Sequence, residues 1–145
     1  MKHFFAAFLF AVSVGVGVAV AQTSATMVSP GNLKWTPGSG ATAGQMIAVL
    51  YGDPAKPGPF IIRVKSPDGF KILPHYHAAV ENVTVVQGTL LLGFGDTLSA
   101  TNITAVPTGG FYSIPKGVHH YAVAKGDTIV EISSMGPRET IQLKP

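Results

Sequence analysis

From Gln22 onward, glycine and proline punctuate this chain every few residues, and the runs they leave are short for helices of ordinary length. The 145-residue chain holds 17 glycines and 11 prolines, and between them lie segments rich in Val, Ile, Thr, Phe and Tyr. Such residues suit a pleated, half-buried surface. Strands are expected over Gln45–Tyr51, closed by Gly52-Asp53-Pro54, and over Phe60–Lys65, closed by the turn Ser66-Pro67-Asp68-Gly69. Ile72–His77 follows, then Asn82–Val86, a tight Gln87-Gly88 turn and Thr89–Phe94. Phe111–Ile114, Tyr121–Ala124 and Thr128–Ser133 complete the series, with Lys125-Gly126-Asp127 parting the last two. One more strand is expected near Leu33–Trp35, within an otherwise loose arm rich in Ser, Thr, Gly and Pro. Strands at this spacing indicate an all-β sandwich or barrel.

The first residues are of another kind. Met1-Lys2-His3 leads into an uncharged, mostly apolar stretch from Phe4 to Ala21, which ends Ala19-Val20-Ala21 before the polar Gln22. A short positive start, an apolar run and a small-x-small ending describe a cleavable signal peptide over residues 1–21. A retained membrane anchor is the rival reading, since such a run could almost span a bilayer. Gly15, Gly17 and the absence of basic residues just after Ala21 favour cleavage, which leaves no stable membrane anchor. The expected location is then periplasmic or secreted. Removal of the leader leaves 124 residues, and the loss of Lys2 takes the formal charge from +3 to +2. The expected organisation is a signal peptide (1–21), an N-terminal arm (22–43) and one barrel domain (44–145), a size that suits a single core.

Composition removes several classes of function. With no cysteine there are no disulfides, thiolate zinc sites, iron–sulfur clusters or thiol nucleophiles. Export would permit disulfides, so this chain must rely on its core, helped by a metal or by oligomerisation. The ten basic residues are dispersed, without the clustered face or run of a nucleic-acid binder. No nucleic-acid partner is expected.

The histidines beyond the leader come as two pairs, His75/His77 and His119/His120. On a strand, His75 and His77 project to one side, and Glu81 keeps the same parity if the strand is not bulged. Glu81 is one of seven acidic residues in the chain and sits among Ala78, Ala79, Val80 and Val83. A carboxylate in apolar surroundings needs a compensating charge. A divalent metal held by two imidazoles and a carboxylate would supply it, with Fe, Mn, Co, Ni, Cu and Zn all suited to such ligands. Taken alone, these residues leave a second reading open: exposed strand histidines and a glutamate at a solvated turn.

The stretch from Gly69 through His75, His77 and Glu81 to Gly88 fits the pattern G-x5-H-x-H-x3-E-x6-G. The stretch from Gly109 through Pro115 and Gly117 to His120 fits G-x5-P-x-G-x2-H. Together they resemble the two motifs of the cupin superfamily, specifically its small single-domain bacterial type, over about residues 60–134. The resemblance implies an antiparallel jelly-roll β-barrel with one divalent transition metal inside it. It also implies four ligands, His75, His77, Glu81 and His120, and a homodimer. The family pattern usually carries asparagine four residues after the last histidine, where this chain has Ala124. His119 precedes the matching histidine and is expected on the opposite side of the strand, at the surface or behind the ligands.

Four protein ligands on a six-coordinate metal leave two positions for a small oxygenated organic molecule, with or without dioxygen. The expected function is an exported metalloenzyme, oxygenase-like or lyase-like. The alternatives are a metal- or ligand-binding module without turnover, and a barrel that its metal only stabilises. Arg63 is a candidate catalytic residue: it lies among Ile61, Ile62 and Val64 and could orient a carboxylate, although alternation also places it on one face with Lys65. Tyr76 and Tyr112 are potential hydrogen-bond donors, with Tyr76 alternating away from the ligands.

Overall fold

The computed structural model describes residues 25–143, so the expected signal peptide lies outside the described residues. Nine strands form one antiparallel, curled sheet: β1 (Thr36–Pro37), β2 (Met46–Tyr51), β3 (Gly58–Ser66), β4 (Lys71–His77), β5 (Glu81–Phe94), β6 (Thr104–Pro107), β7 (Phe111–Ile114), β8 (His120–Gly136) and β9 (Thr140–Gln142). The helical content among the described residues is two single 3-10 turns, Pro30–Asn32 and Gly40–Thr42. No helix among these residues is long and apolar enough to cross a membrane.

β5 and β8 are long, and each serves two sets of neighbours. The front of β5 pairs with β7, its back with β6. β8 pairs with β3 from Thr128 to Gly136 and with β4 from His120 to Val123. Both strands pair with each other throughout, and their register shifts between Val85 and Thr89. This shared irregularity is where the sheet turns.

Gly88 permits the bend. Its φ is +75°, and a Cβ there would lie 2.7 Å from the Asp127 carbonyl oxygen. Glycine adopts that backbone conformation without strain. The buried Thr128 hydroxyl lies within hydrogen-bond reach of the carbonyls of Gly126 and Thr89 and so ties the two strands together at the bend.

Alternation along β3 buries Phe60, Ile62 and Val64 and turns Ile61, Arg63 and Lys65 outward. The buried set packs with Val83, Val85, Leu90, Ala122, Val130 and Ile132 in one cluster. Leu90 and Ala122 come from one side of the bend, Val83 and Val130 from the other. The curl thus closes both parts of the sheet on a single core. Each large aliphatic side chain buried there contributes roughly 1.5–3 kcal/mol.

Several expected boundaries are corrected. Gln87-Gly88 is not a tight hairpin turn but a bend within β5, and Lys125-Gly126-Asp127 likewise lies inside β8. The arm's strand is Thr36–Pro37 rather than Leu33–Trp35, and it is tied down: it pairs with Met46 and Ile47, and the Thr36 hydroxyl donates to the Ile47 carbonyl at 3.1 Å. The arm is therefore not loose between Thr36 and Gln45, where Gly38 N–H also donates to the Gln45 carbonyl. β6 and β9 were not anticipated.

Candidate metal centre

His75 and His77 end β4 on its inner face, with Tyr76 turned away between them. His120 opens β8 directly opposite His75 in the ladder. Glu81 opens β5. All four residues are buried. One ligand nitrogen from each of the three imidazoles lies within 4.8 Å of the others. Glu81 closes the group, its Oε1 3.3 Å from His77 Nε2 and its Oε2 3.8 Å from His120 Nε2.

The backbone orients the rings. His75 Nδ1 bonds to the Leu73 carbonyl at 2.7 Å, His77 Nδ1 to the Glu139 carbonyl at 2.8 Å, and His120 Nδ1 to the Val118 carbonyl at 3.0 Å. A carbonyl oxygen only accepts, so each Nδ1 carries the proton and each Nε2 presents a lone pair. Outer partners of this kind hold metal-binding histidines in one tautomer and one orientation.

The donor set has an unfilled requirement. His77 Nε2 is buried without a hydrogen-bond partner. Its lone pair faces the Glu81 carboxylate, and two acceptors in contact need a cation between them. Burial lowers His75 to a pKa of about 4, helped by the neighbouring His120 charge, and burial also lowers His120. Burial alone would raise Glu81, but His77, Arg138 and His120 outweigh it and bring the carboxyl to about 2. A neutral His75 and His120 and an ionised Glu81 are in the protonation states a divalent metal requires. The residues therefore fit such an ion.

Arg138, which the spacing of motifs did not single out, completes the surroundings. Its Nη2 lies 3.5 Å from Glu81 Oε1, and its backbone N–H donates to the Pro54 carbonyl at 2.7 Å. Seventeen residues of extended β8 would span roughly 55 Å. The bend brings both of its ends to one carboxylate, His120 at the start and Arg138 two residues past the end.

A cavity of about 50 Å³ opens from this group. Val64, Ile72, Leu90, Val130 and Ile132 form an apolar wall, and Gln45, Tyr112, Thr140 and Arg138 supply polar groups. Ala41 and Thr42 of the arm also line it, so the arm forms part of the rim. Burial, reinforced by the Glu81 charge, pushes the Tyr112 phenol upward and keeps its proton on Oη.

The other expected participants lie elsewhere. Arg63 is corrected: it sits on the outer face opposite Glu131 and pairs with it through Nη2 at 2.9 Å and Nε at 3.0 Å. His119 is also turned outward, 2.6 Å from Asp96 and stacked on Tyr76 at 5.2 Å between ring centroids. Ala124 is buried and does not line the cavity.

The model of a family described as "Domain of unknown function (DUF4437)" matches residues 26–137. No curated protein matches the sequence. Among solved structures, the polyketide cyclase RemF from Streptomyces resistomycificus is similar at a TM-score of 0.66 and 17% identity, over 84% of this chain and 87% of that one. A candidate acetylacetone dioxygenase from Methylibium petroleiphilum PM1 aligns at a TM-score of 0.65 and 17% identity, over 86% and 85%. An RmlC-like cupin from Shewanella frigidimarina aligns at 0.59 and 18% identity, over 79% and 93%. At these identities the likeness is one of fold.

Proposed function

The chain belongs to the family described as Domain of unknown function (DUF4437) and has the fold of the RmlC-like cupins; from that premise we propose that it is an exported, divalent-metal-binding cupin. Its action is on a small oxygenated organic molecule, by oxygenase-like or lyase-like chemistry. The observation that carries this reading is the trio of Nδ1–H groups bonded to backbone carbonyls, which leaves three Nε2 lone pairs converging beside Glu81. Two proteins of similar fold, a polyketide cyclase and a candidate dioxygenase, support an enzymatic role.

His75, His77, His120 and Glu81 would hold the ion. Bound there, a divalent metal supplies Lewis-acid polarisation of a substrate oxygen, or electron transfer if it is iron, copper or manganese. The protein's own groups do the rest. The three backbone-anchored rings keep the ligand nitrogens rigid, so little reorganisation accompanies binding. The apolar wall keeps bulk water from the reacting atoms and strengthens electrostatic interactions inside. Tyr112 holds a proton at Oη and can donate it toward a developing oxygen charge.

Elemental analysis of protein reconstituted with Mn, Fe, Ni or Zn should find about one ion per chain. His75→Ala or His120→Ala should reduce that content sharply, by tenfold or more at limiting metal. Protein that takes up none of these metals would overturn the proposal. Export adds a separate expectation: cell fractionation should recover a protein whose first residue is Gln22, and a product retaining Met1 in the cytoplasm would refute it.

A further inference from the structure

Arg138 is held loosely where Arg63 is held tightly. The described structure gives the Arg63 guanidinium two close contacts with Glu131, at 2.9 and 3.0 Å. It gives the Arg138 guanidinium one, at 3.5 Å, near the limit for a hydrogen bond. An arginine presents five N–H donors in a planar fork suited to a carboxylate. Arg138 lines the cavity and is mostly buried, with 19% of its side chain exposed, and the contact with Glu81 is the one side-chain hydrogen bond its guanidinium makes among the described residues.

The charges point the same way. Glu81 and Arg138 are the charged side chains among the described residues that line the cavity. They cancel, and with neutral imidazoles a bound dication leaves the site at about +2, which favours an anion. The space is about 50 Å³, and much of its lining is aliphatic.

We infer that Arg138 anchors a carboxylate, and that the ligand is a short aliphatic acid with a hydroxyl or oxo oxygen on the carbon next to that group. This deepens the metal-centre reading and rests on it. The carboxylate lies against the Arg138 fork, the adjacent oxygen reaches toward the histidines, and the alkyl part packs on Ile72 and Leu90. Ala41 and Thr42 bound the chain length from the arm.

Lactate and lactamide test this, because they share a shape and differ in charge. Calorimetric titration of the metal-loaded protein should show lactate bound about tenfold or more tightly than lactamide. Arg138→Gln should cut the preference several-fold, to the part the metal's own charge supplies, and leave the metal content and melting temperature unchanged, while Arg138→Lys should keep more of it. An undiminished preference in Arg138→Gln, or a wild-type protein that does not bind lactate, would overturn the inference. Loss of metal from Arg138→Gln would also overturn it and make Arg138 a positioning residue for Glu81. A wild-type protein without metal would instead defeat the metal-centre reading. Even then the lactate preference, measured with and without Arg138, decides the role of that side chain.

Discussion

Arg63 and Arg138 carry the same guanidinium into opposite settings, and the setting decides the role. Arg63 sits on the outer face with a partner directly across the ladder. Partly exposed pairs of this kind contribute about 0–1 kcal/mol. Arg63→Ala should therefore shift chemical denaturation by less than about 1 kcal/mol and leave metal content intact; loss of metal would contradict its placement. His75 and His77 were legible together because strand alternation puts them on one face; Glu81 was legible through the motif and not through parity, since residues 78–80 break the strand and Glu81 opens β5. Arg138 was not legible. It reaches Glu81 only because β8 folds back on itself, and no local spacing encodes a contact made across 57 residues.

At the scale of elements, glycine's two uses explain where the strand expectations failed. Gln87-Gly88 has the chemistry of a hairpin turn, and positive φ at Gly88 is what such a turn would require. Here the flanking segments pair with β8 rather than with each other, so the same conformation bends one strand. The sequence pattern shows where the backbone changes direction, not which neighbour it then meets. β6 and β9 escaped notice because they are short edge strands with three or four residues and little alternation. Gly88→Ala should cost about 1–3 kcal/mol in denaturant unfolding, since alanine there is strained and presses on the Asp127 carbonyl. Gly93→Ala should be at least as damaging, because a Cβ would run into the ring of the fully buried Tyr121. Wild-type stability in either variant would contradict the packing described.

The whole molecule couples folding to the state of its polar centre. In the metal-free protein, His75 resists protonation until about pH 4, against an ordinary value of 6.5. Between those values the unfolded chain binds more protons than the folded one, so stability falls as pH is lowered from 6.5 toward 4. Denaturant midpoints of metal-free protein should decline over that window, and His75→Gln should flatten the decline. A midpoint constant from pH 6.5 to 4 would contradict a neutral, buried His75. The all-β class could be read from the punctuation of the chain, whereas the tethered arm and the two-ended β8 depend on contacts far apart in sequence. Together those long-range contacts create the cavity.

The central claim is that three imidazole Nε2 atoms and Glu81 share one ion, and anomalous diffraction from crystals of metal-reconstituted protein tests it most directly. One anomalous peak is expected about 2.0–2.2 Å from Nε2 of His75, His77 and His120 and from a Glu81 oxygen. A peak bound through Nδ1, a peak elsewhere on the chain, or none at full metal saturation of the crystal would contradict it.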